Sequence, residues 1–101
     1  TGIDLMIHNL NLMTKKASED GVEVFIVLAP SSTEVRSGIQ KPQNKKVKEE
    51  LLSRVVSAEI IDPFEVFKKH SNPKILFHSC DAHFSSQGAK HLAEYLSNFL
   101  L

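Results

Sequence analysis

A chain of 101 residues and 11.3 kDa makes one domain at most, burying about 65 % of its unfolded surface by size scaling, whereas a complete parallel α/β sandwich usually needs more. Its 12 basic and 12 acidic residues leave a formal charge of +0, which gives no electrostatic footprint for nucleic acid or an anionic membrane. Cys80 is the only cysteine, so an internal disulfide is excluded and a cysteine-based zinc site is disfavoured.

The chain opens on Thr1-Gly2 rather than methionine, as an internal or trimmed start would, and it carries neither a signal peptide nor a long apolar span. The compartment is not legible from it. Thr1 has capping-box spacing to Asp4, and Ile3, Met6, Ile7, Leu10, Met13 and Ala17 make the apolar stripe of a helix ending near Gly21. The run Val22 to Ala29 is almost continuously apolar, the pattern of an inner parallel strand covered on both faces. Pro30 stops it.

Residues 30–44 are polar. Ser31, Ser32, Thr33 and Glu34 follow directly on the strand, at the edge where open α/β sheets collect ligands. A short helical turn is predicted over residues 33–39, a surface loop over 41–44, and a helix from Lys45 with Val47, Leu51 and Val55 on one face. Ser57 to Ile61 reads as a second, shorter strand, expected to pair with the first. Asp62 as N-cap, Pro63 at the first helical position and Glu65 three after the cap then start another helix, with Phe64 and Phe67 as core residues. Lys74 to His78 reads as a short extended segment. Ser85 or Ser86 caps a last helix, whose inner face carries Ala89, Leu92, Ala93, Leu96, Phe99 and Leu100. No internal repeat or domain boundary interrupts the series.

Chemistry concentrates just before that last helix. In a loop, side chains at i and i+2 converge, so the Asp81 carboxylate can accept the Nδ1 proton of His83 and leave Nε2 free for a hydroxyl nucleophile. His78, Asp81 and His83 also offer two imidazoles and a carboxylate, but three ligands inside one hexapeptide are uncommon. No metal or cofactor is therefore expected. His8, His70 and His91 are simplest as solvent-facing or capping residues, although His91, close to the helix start, can line a pocket. Cys80 reads as a small packed side chain, since the neighbouring Asp81 carboxylate raises a thiol's pKa.

The stretch Asp81-Ala82-His83-Phe84-Ser85-Ser86-Gln87-Gly88 resembles the C-terminal block of the SGNH/GDSL hydrolase superfamily, in its D-x-H-aromatic-(Ser/Asn)-x-x-Gly form, as in polysaccharide O-acetyltransferase-like members. The strand ending at Pro30, the polar loop after it and Ile60-Ile61-Asp62-Pro63 are a looser similarity to the same proteins. The resemblance implies a three-layer α/β sandwich with a mostly parallel, flavodoxin-like sheet, of which residues 1–101 form the C-terminal half. It further implies that His83 is a general base oriented by Asp81, acting on an acylated carbohydrate or small ester.

The superfamily's other blocks are not in the sequence. There is no Gly-Asp-Ser turn, no Gly-x-Ser-x-Gly and no Gly-x-Asn motif, so the resemblance implies that the nucleophile and the oxyanion donors belong to a missing N-terminal half. Ser31 and Ser32 stand where a strand-end nucleophile can stand, but no glycine turn exposes them, and they read as cap or loop residues. The expected partners are that missing half or a second copy of the chain, because unpaired strand edges template pairing. The alternative is a non-catalytic α/β module in which Asp81 fixes the loop through His83.

Overall fold

In a computed structural model, residues 2–79 and 81–100 are described. They form a mixed α/β fold of five α-helices, a 3₁₀ turn and a two-stranded parallel sheet. The contacts fall into two compact units, each drawn from two stretches of sequence: residues up to Leu28 with Lys41–Ile61, and Ala29–Gln40 with the residues from Asp62 on. No helix among the described residues is long and apolar enough to cross a membrane.

The first unit holds α1 (Gly2–Glu19), β1 (Phe25–Val27), α3 (Pro42–Arg54) and β2 (Glu59–Ile61). The expected pairing forms: Phe25, Ile26 and Val27 lie opposite Glu59, Ile60 and Ile61 in parallel, extended by Glu59 N–H to the Val24 carbonyl at 3.0 Å and Leu28 N–H to the Ile61 carbonyl at 2.8 Å. The first strand is shorter than its apolar run and only half-buried, because with β2 as its one neighbour among the described residues neither face has the cover of a central strand. Helix α1 ends as predicted, with Gly21 at φ 73° and Val22 N–H on the Ala17 carbonyl at 2.8 Å.

Between α1 and α3 the buried side chains are Ile7, Thr14 and Leu51. Asn11 makes the junction specific. Its amide Nδ2 donates to the Arg54 carbonyl and its Oδ1 accepts Val56 N–H, both at 3.0 Å, so one side chain satisfies both backbone groups where α3 ends. Arg54 reaches Asp4 at 2.8 Å and Glu50 at 3.1 Å; the pair of carboxylates raises its already high pKa, but the groups are exposed and contribute little to stability. Met13, expected on the inner face, is 65 % exposed. Leu5, Leu12, Val22, Leu52 and Val56 are exposed as well.

The second unit holds α2 (Ser32–Ser37), α4 (Phe64–Lys68), the 3₁₀ turn Pro73–Leu76 and α5 (Ser86–Leu100). Its core is Val35, Phe64, Phe67, Leu76 and Phe77, with Val66, Phe84 and Leu92 packed against it. Phe67 is the centre, fully buried, with ring centroids 6.2 Å from Phe77 and 5.5 Å from Phe84. Helix α4 starts one residue later than expected, with Pro63 rather than Asp62 as its N-cap, although Asp62 Oδ1 still accepts Phe64 N–H at 3.1 Å. Two further expectations are corrected. Pro42 is the first residue of α3 rather than part of a loop, since proline's fixed φ and missing N–H suit that position; and residues 74–76 turn as a 3₁₀ helix behind Pro73 instead of extending. The expected Thr1 cap and the placement of Cys80 lie outside the described residues.

Gly88 is where α5 meets the 3₁₀ turn. A Cβ there would lie 1.9 Å from the Leu76 carbonyl oxygen, a contact with backbone that no rotamer relieves. Alanine in a helix gains about 0.5–1 kcal/mol over glycine, against an overpacking cost at the upper end of about 1–3 kcal/mol. Gly88→Ala should therefore lower the urea midpoint, by a net cost of about 2 kcal/mol, whereas Gly2→Ala, with nothing within 4 Å of its Cβ, should not. Equal midpoints for the two variants would contradict this packing.

Candidate active site

The site begins with a short stretch of chain pairing. Phe77 and Phe84 form an antiparallel bridge, His78 N–H donates to the His83 carbonyl at 3.0 Å and Ser85 N–H to the Leu76 carbonyl at 3.0 Å. Residues 78–83 are thus a loop closed at its base. Side chains alternate along extended chain, so with the Phe84 ring 5.3 Å from that of Phe77 and turned into the core, His83 faces outward. Its side chain is 86 % exposed and that of Asp81 53 %.

The predicted pair is formed. Asp81 Oδ1 lies 3.2 Å from His83 Nδ1 and also accepts the His83 backbone N–H at 2.8 Å. A carboxylate can only accept in this contact, so the neutral imidazole carries its proton on Nδ1, and Nε2 presents its lone pair to solvent. The backbone N–H is the larger cause, and the imidazole the second favourable one, of an Asp81 pKa below the ordinary value of 3.8. Asp81 is ionised across the neutral range.

Two anchors hold this loop, and only the second had a signal in the sequence. Arg36, on α2, donates from Nη2 to the His78 carbonyl at 3.1 Å; a contact spanning 42 residues leaves no local signature. Ser85 Oγ accepts Gly88 N–H at 3.1 Å and donates to the Ile75 carbonyl, so Ser85, not Ser86, caps α5 and ties its start to the 3₁₀ turn.

Other candidates take different places. Ser31 is the N-cap of α2: its Oγ donates to Glu34 Oε1 at 2.8 Å and accepts Glu34 N–H at 3.2 Å, which engages the hydroxyl in a capping box. Ser32 is buried at the first position of that helix. Among the described residues no three His, Cys, Asp or Glu side chains come together as a metal-ligand set. His91 is half-buried rather than solvent-facing, its ring 5.2 Å from Phe67 and 4.9 Å from His70.

No protein-family model matches the sequence, and no curated protein matches it. Two solved structures share its fold. The structure of Bacillus cereus PatB1 aligns with a TM-score of 0.77 at 20 % identity, over 97 % of this chain and 35 % of that one. The structure of Bacillus cereus PatB1 with a sulfonyl adduct aligns with a TM-score of 0.72 at 18 % identity, over 95 % and 37 %. Likeness at such identity is likeness of fold, and this chain spans about a third of the length of the chains it matches.

The Asp81 interactions give a pH dependence of known sign. A carboxyl with a depressed folded-state pKa contributes stability above its unfolded value and loses it as pH falls through the folded one. The loop should hold at neutral pH and loosen only below about pH 3.8, the unshifted value. Carboxyl NMR should place the Asp81 midpoint below 3.8; a midpoint at or above it would mean that the turn is not formed in solution.

Proposed function

We propose that this chain is the C-terminal part of a serine esterase or O-acyltransferase domain of SGNH type, supplying the Asp-His half of its triad. The observation that carries the reading is the arrangement at the loop before α5: a carboxylate on Nδ1 of an imidazole whose Nε2 faces solvent. The D-x-H-F-S-x-x-G block and the likeness to about a third of PatB1 support it. A sulfonyl adduct, found in one PatB1 structure, is what an activated nucleophile acquires, and this too fits a site of that class.

In this reading His83 Nε2 accepts the proton of a serine hydroxyl as the serine oxygen attacks an ester carbonyl. Asp81 keeps the imidazole in the receptive tautomer and stabilises the imidazolium that forms. Collapse of the tetrahedral intermediate breaks the bond to the leaving alkoxide, which takes the proton back from His83. The acyl-serine is then resolved by water or a sugar hydroxyl, again deprotonated by His83. Serine and oxyanion donors come from sequence outside these residues. The two-stranded sheet belongs, on this proposal, to a three-layer parallel sandwich completed by that other half, or by a second copy when the half is absent. The exposed apolar side chains of α1 and α3 are what such a partner would cover.

A second reading rests on one distance. The Asp81 contact to the His83 backbone N–H, 2.8 Å, is shorter than that to Nδ1, 3.2 Å, as in an Asx turn that only shapes a loop. Turnover separates the two. In a longer protein containing this chain, His83→Ala should lower turnover of a simple acetyl ester by at least about 10³-fold with the fold retained. The 101-residue chain alone should be inactive, lacking nucleophile and oxyanion donors, and should sediment as a concentration-dependent oligomer. Equal turnover with and without His83 would leave the structural reading, and a compact monomer at all concentrations would remove the incomplete-sheet argument.

A further inference from the structure

The loop that carries the dyad is tied at both ends, and one tie comes from a separate element. Three hydrogen bonds take up the four backbone groups of the residues that bound it. His78 N–H donates to the His83 carbonyl at 3.0 Å, His83 N–H to Asp81 Oδ1 at 2.8 Å, and Arg36 Nη2 to the His78 carbonyl at 3.1 Å. The first two lie within the loop. The third fixes the peptide after His78, from which the chain runs on to Asp81.

Arg36 is well placed to hold that carbonyl. It stands on α2, a six-residue helix closed at its start by the Ser31 and Glu34 capping box and at its finish by Gly38, whose N–H bonds the Glu34 carbonyl at 2.8 Å. The neighbouring Val35 is buried in the same core as Leu76 and Phe77, the residues that lead into the loop. The guanidinium therefore starts from a base that is fixed to the loop's own foundation. Its charge offsets the exposure of the side chain, because a hydrogen bond from an ionised donor is roughly twice as strong as a neutral one.

What depends on this tie is the longer of the two Asp81 contacts. The bond to the His83 backbone, at 2.8 Å, has distance to spare, whereas that to Nδ1, at 3.2 Å, stands at the long end of the range for N–H···O. With the peptide after His78 free to turn, a small displacement at Asp81 releases the ring and leaves the turn in place. The geometry points to Arg36 as a positioning residue for the dyad: by holding the His78 carbonyl it keeps the Asp81 carboxylate on Nδ1, and so keeps His83 Nε2 receptive. Its effect on turnover rests on the acyl-transfer reading above; its effect on the tautomer does not.

The test follows the His83 ring nitrogens by NMR at about pH 9, where imidazole is neutral, in the 101-residue chain and in its Arg36→Ala and Arg36→Lys variants. Arg36 is exposed and alanine favours a helix, so α2 is kept. Arg36→Ala should reduce the ratio of Nδ1-protonated to Nε2-protonated ring roughly threefold to tenfold, the worth of one hydrogen bond. Arg36→Lys, which keeps one charged donor on a long stem, should restore it. A purely structural role would lower the urea midpoint and leave the ratio alone. In a longer protein containing this chain, Arg36→Ala should lower kcat for an acetyl ester by a similar factor, with KM unchanged. An unchanged ratio in Arg36→Ala, or a loss that Arg36→Lys does not restore, would overturn the proposal. A ratio that follows Arg36 in a protein whose ester turnover ignores His83 would sink the acyl-transfer reading alone. His83-dependent turnover, with ratio and kcat both indifferent to Arg36, would sink the positioning role alone.

Discussion

The second unit depends on the seam between the start of α5 and the carbonyls of Ile75 and Leu76. Ser85 bonds to both carbonyls, and Gly88 passes so close to Leu76 that any side chain would collide with its oxygen. Because this seam holds the base of the 78–83 loop shut, Phe84 turns inward onto Phe67 and Phe77, and His83 is left pointing out. The same seam fixes the start of α5 against the 3₁₀ turn, and farther along the helix His91 rests on Phe67. A serine and a glycine three residues apart thus hold the base of the loop that carries Asp81 and His83.

At the loop itself, one carboxylate oxygen serves two donors of the same residue. In open water such a contact is weak, since solvent screens charges at this spacing. Its value lies in selecting a tautomer at almost no structural cost. Were another segment to exclude water from the pair, the same geometry would act in a lower dielectric, where an imidazolium beside a carboxylate is worth several times more. An exposed dyad is therefore what half of such a site should look like: organised locally by residues two apart, with its strength supplied by whatever covers it.

What the sequence revealed and concealed divides along range of interaction. Gly21 and, to within one residue, the start of α4 were readable because caps and turns are written within a few residues. So was the Asp81-His83 pair, an i, i+2 contact, and the pairing of the two strands followed from their apolar runs. Pro42 was legible in principle and was misassigned, its helix-starting role outweighed by the polar residues around it. The reach of Arg36 to His78 and the double bond of Asn11 to the end of α3 have no local pattern, because they join residues more than 40 positions apart. The His70 and His91 pair was hidden for the same reason: neither histidine is unusual until α4 and α5 pack around Phe67. The depth of burial of β1 was overestimated, since an apolar run records only that a strand can be covered, and among the described residues β2 is its one neighbour in the sheet.

The account turns on whether Asp81 orients the imidazole or only shapes the turn, and the nitrogen resonances of the His83 ring decide it. In the 101-residue chain at about pH 9, where imidazole is neutral, the account predicts a proton on Nδ1 and a bare Nε2, with the preference lost in Asp81→Asn. A ring protonated mainly on Nε2, or a tautomer ratio untouched by the Asp81→Asn change, would contradict it.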